Sequence, residues 1–114
     1  MTISCLLQLV NQLKVWHWQT TSYAQHSAFG AKYSSISDLV DSLVEVYQGK
    51  YGRVKAESVF KLELQNLPAD CSPIVNSYIG CISGWDWSEQ PDLANIQADL
   101  IIELNHLNYL LTLS

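Results

Sequence analysis

The chain has 114 residues, a formal net charge of −5, 48% hydrophobic residues and only 15% charged ones. Its length suits one domain with a modest core, spanning residues 1–114. An acidic balance with six lysines and arginines argues against sequence-independent DNA binding, so no nucleic-acid partner is expected. The sparse charge suggests apolar surface covered by a partner, most simply a second copy of the chain.

Residues 3–18 show helical spacing, with Leu6, Leu9, Val10, Leu13 and Trp16 on one face and Gln8, Asn11, Gln12 and Lys14 off it. Those amides also interrupt the apolar start, so it is read as neither signal peptide nor membrane span. Thr20, Thr21 and Ser22 are capping residues and mark a turn. A longer pattern follows from Tyr23 to Gln48, with Phe29, Tyr33, Ile36, Val40, Leu43, Val44 and Tyr47 as its stripe. Gly30 weakens that run slightly unless another backbone approaches closely there. Gly49 and Gly52, with Lys50 and Arg53, supply a C-terminal stop. Lys50, Arg53, Lys55 and Lys61 fall within twelve residues; cations at a helix end and its exit loop suit the helix dipole, and this reading is favoured over a phosphate patch.

Residues 54–70 half-alternate through Val59, Phe60, Leu62, Leu64 and Leu67, so an extended stretch competes with a helix. Ser72-Pro73 reads as a cap with Pro at the first helical position, opening a short helix to about residue 83 that ends at Gly84. GWDWSEQP is a tryptophan-rich connector. A last helix begins near Asp92 and carries Ile96, Leu100, Leu104, Leu107 and Leu111. The expectation is an all-α bundle of four helices, two long N-terminal ones, a short third and a C-terminal one. Cys5, Cys71 and Cys81 form no C-x-x-C pair and are odd in number, so they are read as reduced, mostly buried thiols in a cytosol-like compartment.

Several polar residues sit where apolar ones are expected. On helical wheels His17 continues the row Leu6, Val10, Leu13, and His26 falls in line with Phe29, Tyr33 and Val40. Asp41 and Glu45 lie one turn apart on a flank of the same stripe. Glu103 lies among Ile96, Leu100, Leu107 and Leu110, flanked by Asp99 and His106, and Glu103 with His106 spells E-x-x-H. Singly, a histidine on such a face is a core or interface residue and a D-x-x-x-E pair a solvated flank. Together, imidazoles and carboxylates are the ligand set of iron, manganese or zinc. His26 and Asp41 are fifteen residues apart on one helix, roughly 22 Å at 1.5 Å per residue. They can share an ion only if a second, antiparallel chain brings its carboxylates to the first chain's histidines.

At these residues the sequence resembles the miniferritins, the Dps-like branch of the ferritin-like superfamily. The shared elements are His17-Trp18 closing the first helix, His26 opening the second, and Asp41 and Glu45 in H-x14-D-x3-E spacing. The segments His17–His26, Asp38–Asp41, Glu45–Gly49 and Tyr109–Leu113 also resemble uncharacterised ferritin-like proteins of large DNA phages and algal viruses. The resemblance implies a ferritin-like fold, a homodimer or higher homo-oligomer, and an intersubunit site that oxidises iron(II). It also implies a cytoplasmic protein, that of the host if phage-encoded. The competing reading is a non-catalytic helical interaction module, with the aromatic connector around Trp85 and Trp87 as its contact surface.

Overall fold

The computed structural model describes residues 1–56 and 60–113. It is all-helical among those residues, with α1 (Ile3–Gln19), α2 (Tyr23–Tyr51), α3 (Ser72–Ser83) and α4 (Pro91–Leu111). Each boundary has a local cause. Ser22 Oγ accepts from the Gln25 amide and caps α2. Gly52, at φ +86°, ends α2 by giving its amide to the Gln48 carbonyl at 2.9 Å, a left-handed stop that suits glycine. Pro73 and Pro91 stand in the first turns of α3 and α4, where a missing N–H costs nothing. Ser72 is itself the first helical residue, one place later than its expected capping role, and Asp70 receives its amide at 3.0 Å.

The helices pack as a ring in which α1 adjoins α2 and α3, and α4 adjoins α2 and α3. Cross-helix pairs set the directions. Gln8 meets Tyr78 and Lys32 meets Glu103, while Lys50 meets Asp92. Every neighbouring pair is therefore antiparallel, and α2 and α3 run the same way. The core lies inside this ring, where Leu9, Trp16, Phe29, Ile36, Leu43, Ile82, Leu100 and Leu107 have no exposed surface. Burying one such side chain contributes about 1.5–3 kcal/mol.

Because α2 and α3 are parallel, residues 52–71 must return the length of the bundle. Most of the described part has no regular structure and runs beside α1. Val59, counted above in its half-alternating pattern, lies outside the described residues. A ladder of α1 side chains holds this crossover. Gln8 Oε1 receives the Glu63 amide, and Gln19 Oε1 the Leu67 amide. Gln12 is the centre of the ladder. Its Nε2 donates to the Gln65 carbonyl at 2.8 Å and its Oε1 receives the Gln65 amide at 2.7 Å, while Trp16 Nε1 gives the same carbonyl a further bond. Gln12 is fully buried, so its expected place off the apolar face is corrected. A side-chain amide can satisfy both polar groups of a passing backbone, and that makes its burial tolerable.

The reading of all three cysteines as reduced thiols is also corrected. Cys5 of α1 and Cys81 of α3 form a disulfide, because the two helices face each other at those positions. Cys71 is free and buried. Burial first, and then the Asp70 charge, push its thiol up to about 11, so at neutral pH it is a packing group and not a nucleophile. No helix among the described residues is long and apolar enough to cross a membrane.

Candidate functional site

The short turn at residues 20–22 folds the end of α1 back against the start of α2, and this brings His17 and His26 together. Their rings stack with centroids 3.8 Å apart and planes 18° apart. Each ring also bonds the other residue's backbone. His17 Nδ1 lies 2.8 Å from the His26 carbonyl oxygen, and His26 Nδ1 lies 2.9 Å from the His17 carbonyl oxygen. A carbonyl oxygen only accepts, so both Nδ1 atoms carry the proton and Nε2 is the lone-pair nitrogen of each neutral ring. A backbone carbonyl fixing one ring nitrogen is the usual arrangement behind a metal-ligating histidine, because it sets the tautomer and the ring orientation. Gly30 belongs to this pair. A Cβ there would stand 2.9 Å from His17 Cε1, so what approaches Gly30 is the His17 ring and not the second backbone expected from the sequence.

Asp41 and Glu45 are both exposed, one turn apart on α2. They do not join the histidines within one chain. His26 and Asp41 lie on the same unbroken helix, with a rise of roughly 22 Å between them. Among the described residues no three His, Cys, Asp or Glu side chains of a single chain converge in a way that could hold a metal ion. The exposed α2 positions Ser27, Ala31 and Ser34 continue into Asp38, Asp41 and Glu45 along one face, which is small-residued at one end and acidic at the other.

The remaining candidates meet elsewhere. Glu103 and His106 converge from α4 on Lys32 of α2. The ammonium donates to Glu103 Oε2 at 2.7 Å and to His106 Nδ1 at 2.7 Å, and Ser35 Oγ donates to the same carboxylate oxygen at 2.9 Å. His106 therefore accepts through Nδ1 in this arrangement. The Lys32 hydrogen bond, reinforced by Ser35, holds the Glu103 carboxyl below its ordinary range against a smaller opposing effect of burial. Asp99 is exposed and lines a neighbouring groove between α2 and α4 with Asp38, Ser35 and Glu103.

Lys32 is the residue that sequence reading missed. It is 6% exposed and lies on the buried row Phe29, Lys32, Ile36, Val40, Leu43. The signal was present in the spacing, since Lys32 is three residues from Phe29 and four from Ile36, but the neighbouring Tyr33 looked the better core residue. Tyr33 is half-buried instead, and Lys14 Nζ sits 5.3 Å from its ring centre and 5.5 Å from that of Trp18.

Residues 17–111 match a protein family of unknown function, DUF5856, and the chain belongs to that family. No curated protein and no solved structure matches it.

Proposed function

We propose that two copies of this chain bind iron between them, with His17 and His26 of one copy and Asp41 and Glu45 of the other as ligands. The observation that carries this reading is the His17–His26 pair, whose Nδ1 atoms are both bonded to carbonyl oxygens. That leaves two Nε2 lone pairs in adjacent, oriented rings, which suits iron(II), zinc or manganese. Among the described residues neither carboxylate forms an ion pair, and both are exposed and open to a second chain. An antiparallel α2–α2 pairing centred near Ser34 sets the acidic half of one helix against the histidine half of the other. The exposed Trp18, Tyr23, Tyr109 and Leu113 near the histidine end add apolar surface for such an interface.

The enzymatic form of the proposal is a ferroxidase, with iron(II) as substrate giving its electron to dioxygen or peroxide. In it the imidazoles position the ion, and the two carboxylates supply the negative charge that favours the oxidised form. The single long crossover between two helical hairpins is the connectivity of ferritin-like bundles, and it supports the same relationship. A cytoplasmic setting belongs to this proposal through the resemblance alone, since disulfides such as Cys5–Cys81 are commonest outside reducing compartments. Asp99, Glu103 and His106 stand second as ligands, because a metal on Glu103 and His106 would have to displace the Lys32 ammonium.

The reciprocal bonds of the histidine pair also favour a second reading. They clasp α1 to α2 without any ion, as expected of a non-catalytic interaction module on the same scaffold. Anaerobic iron(II) titration of untagged protein separates the two. The proposal expects stoichiometric binding in the wild type and none in Asp41→Ala/Glu45→Ala. Tight binding retained by that double variant moves the site elsewhere, and no binding by the wild type leaves the clasp reading.

A further inference from the structure

The connector between α3 and α4 takes no part in the histidine site. Its Trp85, Asp86, Trp87 and Ser88 line a groove of about 310 Å³, floored by the small side chains of Ala94 and Ala98 on α4. The connector is fixed in place. Trp87 is buried in the core, and Gln97 Nε2 on α4 donates to the carbonyls of Ile82 and Trp85 at 2.7 and 2.9 Å. Trp85 stands beside Trp87 with ring centroids 5.4 Å apart and planes tilted 49°, so the half-buried Trp85 indole walls the groove and the buried Trp87 indole backs it. Between them in sequence, the Asp86 carboxylate accepts from the Ser88 amide at 3.2 Å and the Ser88 hydroxyl at 2.9 Å. Those bonds hold it below the ordinary carboxylate range, hence ionised at neutral pH.

No lysine or arginine is among the described residues lining the groove. An ionised carboxylate lining one groove with a half-buried indole, in a protein of net charge −5, is a setting that attracts a cation. Tryptophan is the strongest aromatic partner for one. The groove offers one carboxylate, and its other polar side chains, Ser83, Ser88 and Gln97, already donate hydrogen bonds within the chain, which leaves a metal ion or a primary ammonium with a single charged partner. A cation with an apolar shell needs no more. At the other end of α1 the molecule already seats a cation over aromatic rings, with its own Lys14 over Trp18 and Tyr33.

The geometry points to a binding site for a small quaternary ammonium ion in the groove of Trp85, Asp86 and Trp87. Titration of the wild-type protein with choline, followed through the four tryptophan indole N–H resonances, tests it. The Trp85 and Trp87 signals shift saturably with a dissociation constant in the millimolar range, while Trp16 and Trp18 stay in place. Neohexyl alcohol, the neutral isostere of choline, binds at least about fivefold more weakly, because it matches the shape without the charge. Asp86→Asn weakens choline by a similar factor, and Trp85→Ala removes the response. Should Trp85→Ala fail to fold, Asp86→Asn, a change at an exposed side chain, decides the matter. Equal binding of the neutral isostere, an unchanged affinity in Asp86→Asn, or no saturable shift with choline overturns the assignment.

Discussion

Histidine and its neighbours occur in two settings in this molecule. At the α1–α2 turn, His17 and His26 bond carbonyl oxygens through Nδ1, and among the described residues neither ring is hydrogen-bonded to a lysine or arginine. Between α2 and α4, His106 and Glu103 have the spacing of a metal-binding pair, yet both already accept from the Lys32 ammonium. Residue type therefore does not decide which cluster can take an ion. The decisive matter is whether the lone pairs are already used. Lys32 serves as a built-in cation, and among the described residues the histidine pair has no equivalent. The polar groups of the α2–α4 seam are thus satisfied within the chain, as burial requires, whereas His26 at the turn is exposed.

The largest expected structural effect comes from removing that internal cation. Lys32→Met leaves Glu103 without its partner inside the α2–α4 seam. A fully buried pair broken this way costs about 3–5 kcal/mol. The Glu103 side chain is 26% exposed and can turn to water, so about 2 kcal/mol is expected, or roughly 5–10 °C in melting temperature. Binding of iron at the histidine end should not change. If Lys32→Met gained a second equivalent of metal, Glu103 and His106 would be confirmed as a closed ligand pair. A loss of the first equivalent would mean that the two clusters are not independent.

A smaller effect is expected at Gly30. Alanine in a helix interior is normally favoured over glycine by up to about 1 kcal/mol. Here the new Cβ meets the His17 ring, so Gly30→Ala should instead destabilise by about 1 kcal/mol and disturb the histidine pair. In a His17→Ala background the same change should stabilise by about 0.5–1 kcal/mol. Thermal melts of the four proteins in this cycle measure the coupling. Equal effects of Gly30→Ala in both backgrounds would detach Gly30 from the site.

The smallest effect is the pH dependence of the Lys32–Glu103 pair. Glu103 is held below its ordinary range, so the folded protein binds fewer protons there than the unfolded chain does. Its contribution is complete above the ordinary glutamate range and fades as pH falls through the depressed value. The stability gap between wild type and Glu103→Gln should be constant above about pH 5, below about 1 kcal/mol because of the partial exposure, and shrink on acidification. A gap that widens toward low pH would contradict the ion pair. Denaturant midpoints across that range supply the measurement.

The helices were legible because periodic leucines and the signals at Ser22, Gly52, Pro73 and Gly84 agree with one another. His17 and His26 were grouped through their ligand chemistry and the miniferritin resemblance, and the stacking of their rings was not legible. Other features depend on which helices become neighbours, and a single sequence carries little of that. Lys32 was not singled out because its partners lie about seventy positions away on α4. Gln12 looked solvent-facing because the backbone that satisfies it belongs to an aperiodic crossover. The Cys5–Cys81 pairing likewise follows from the α1–α3 contact, 76 residues apart in sequence. Closing so long a loop restrains the unfolded chain by about 2–4 kcal/mol.

The division of ligands between two chains is tested most directly by mixing two defective proteins. One lacks both histidines (His17→Ala, His26→Ala) and the other both carboxylates (Asp41→Ala, Glu45→Ala). Neither alone should hold iron at this site. Unfolded and refolded together in equal amounts, they should recover about a quarter of the wild-type iron, because half of the dimers are mixed and each carries one intact site of two. Mixed dimers that form and yet bind no iron would contradict the shared site.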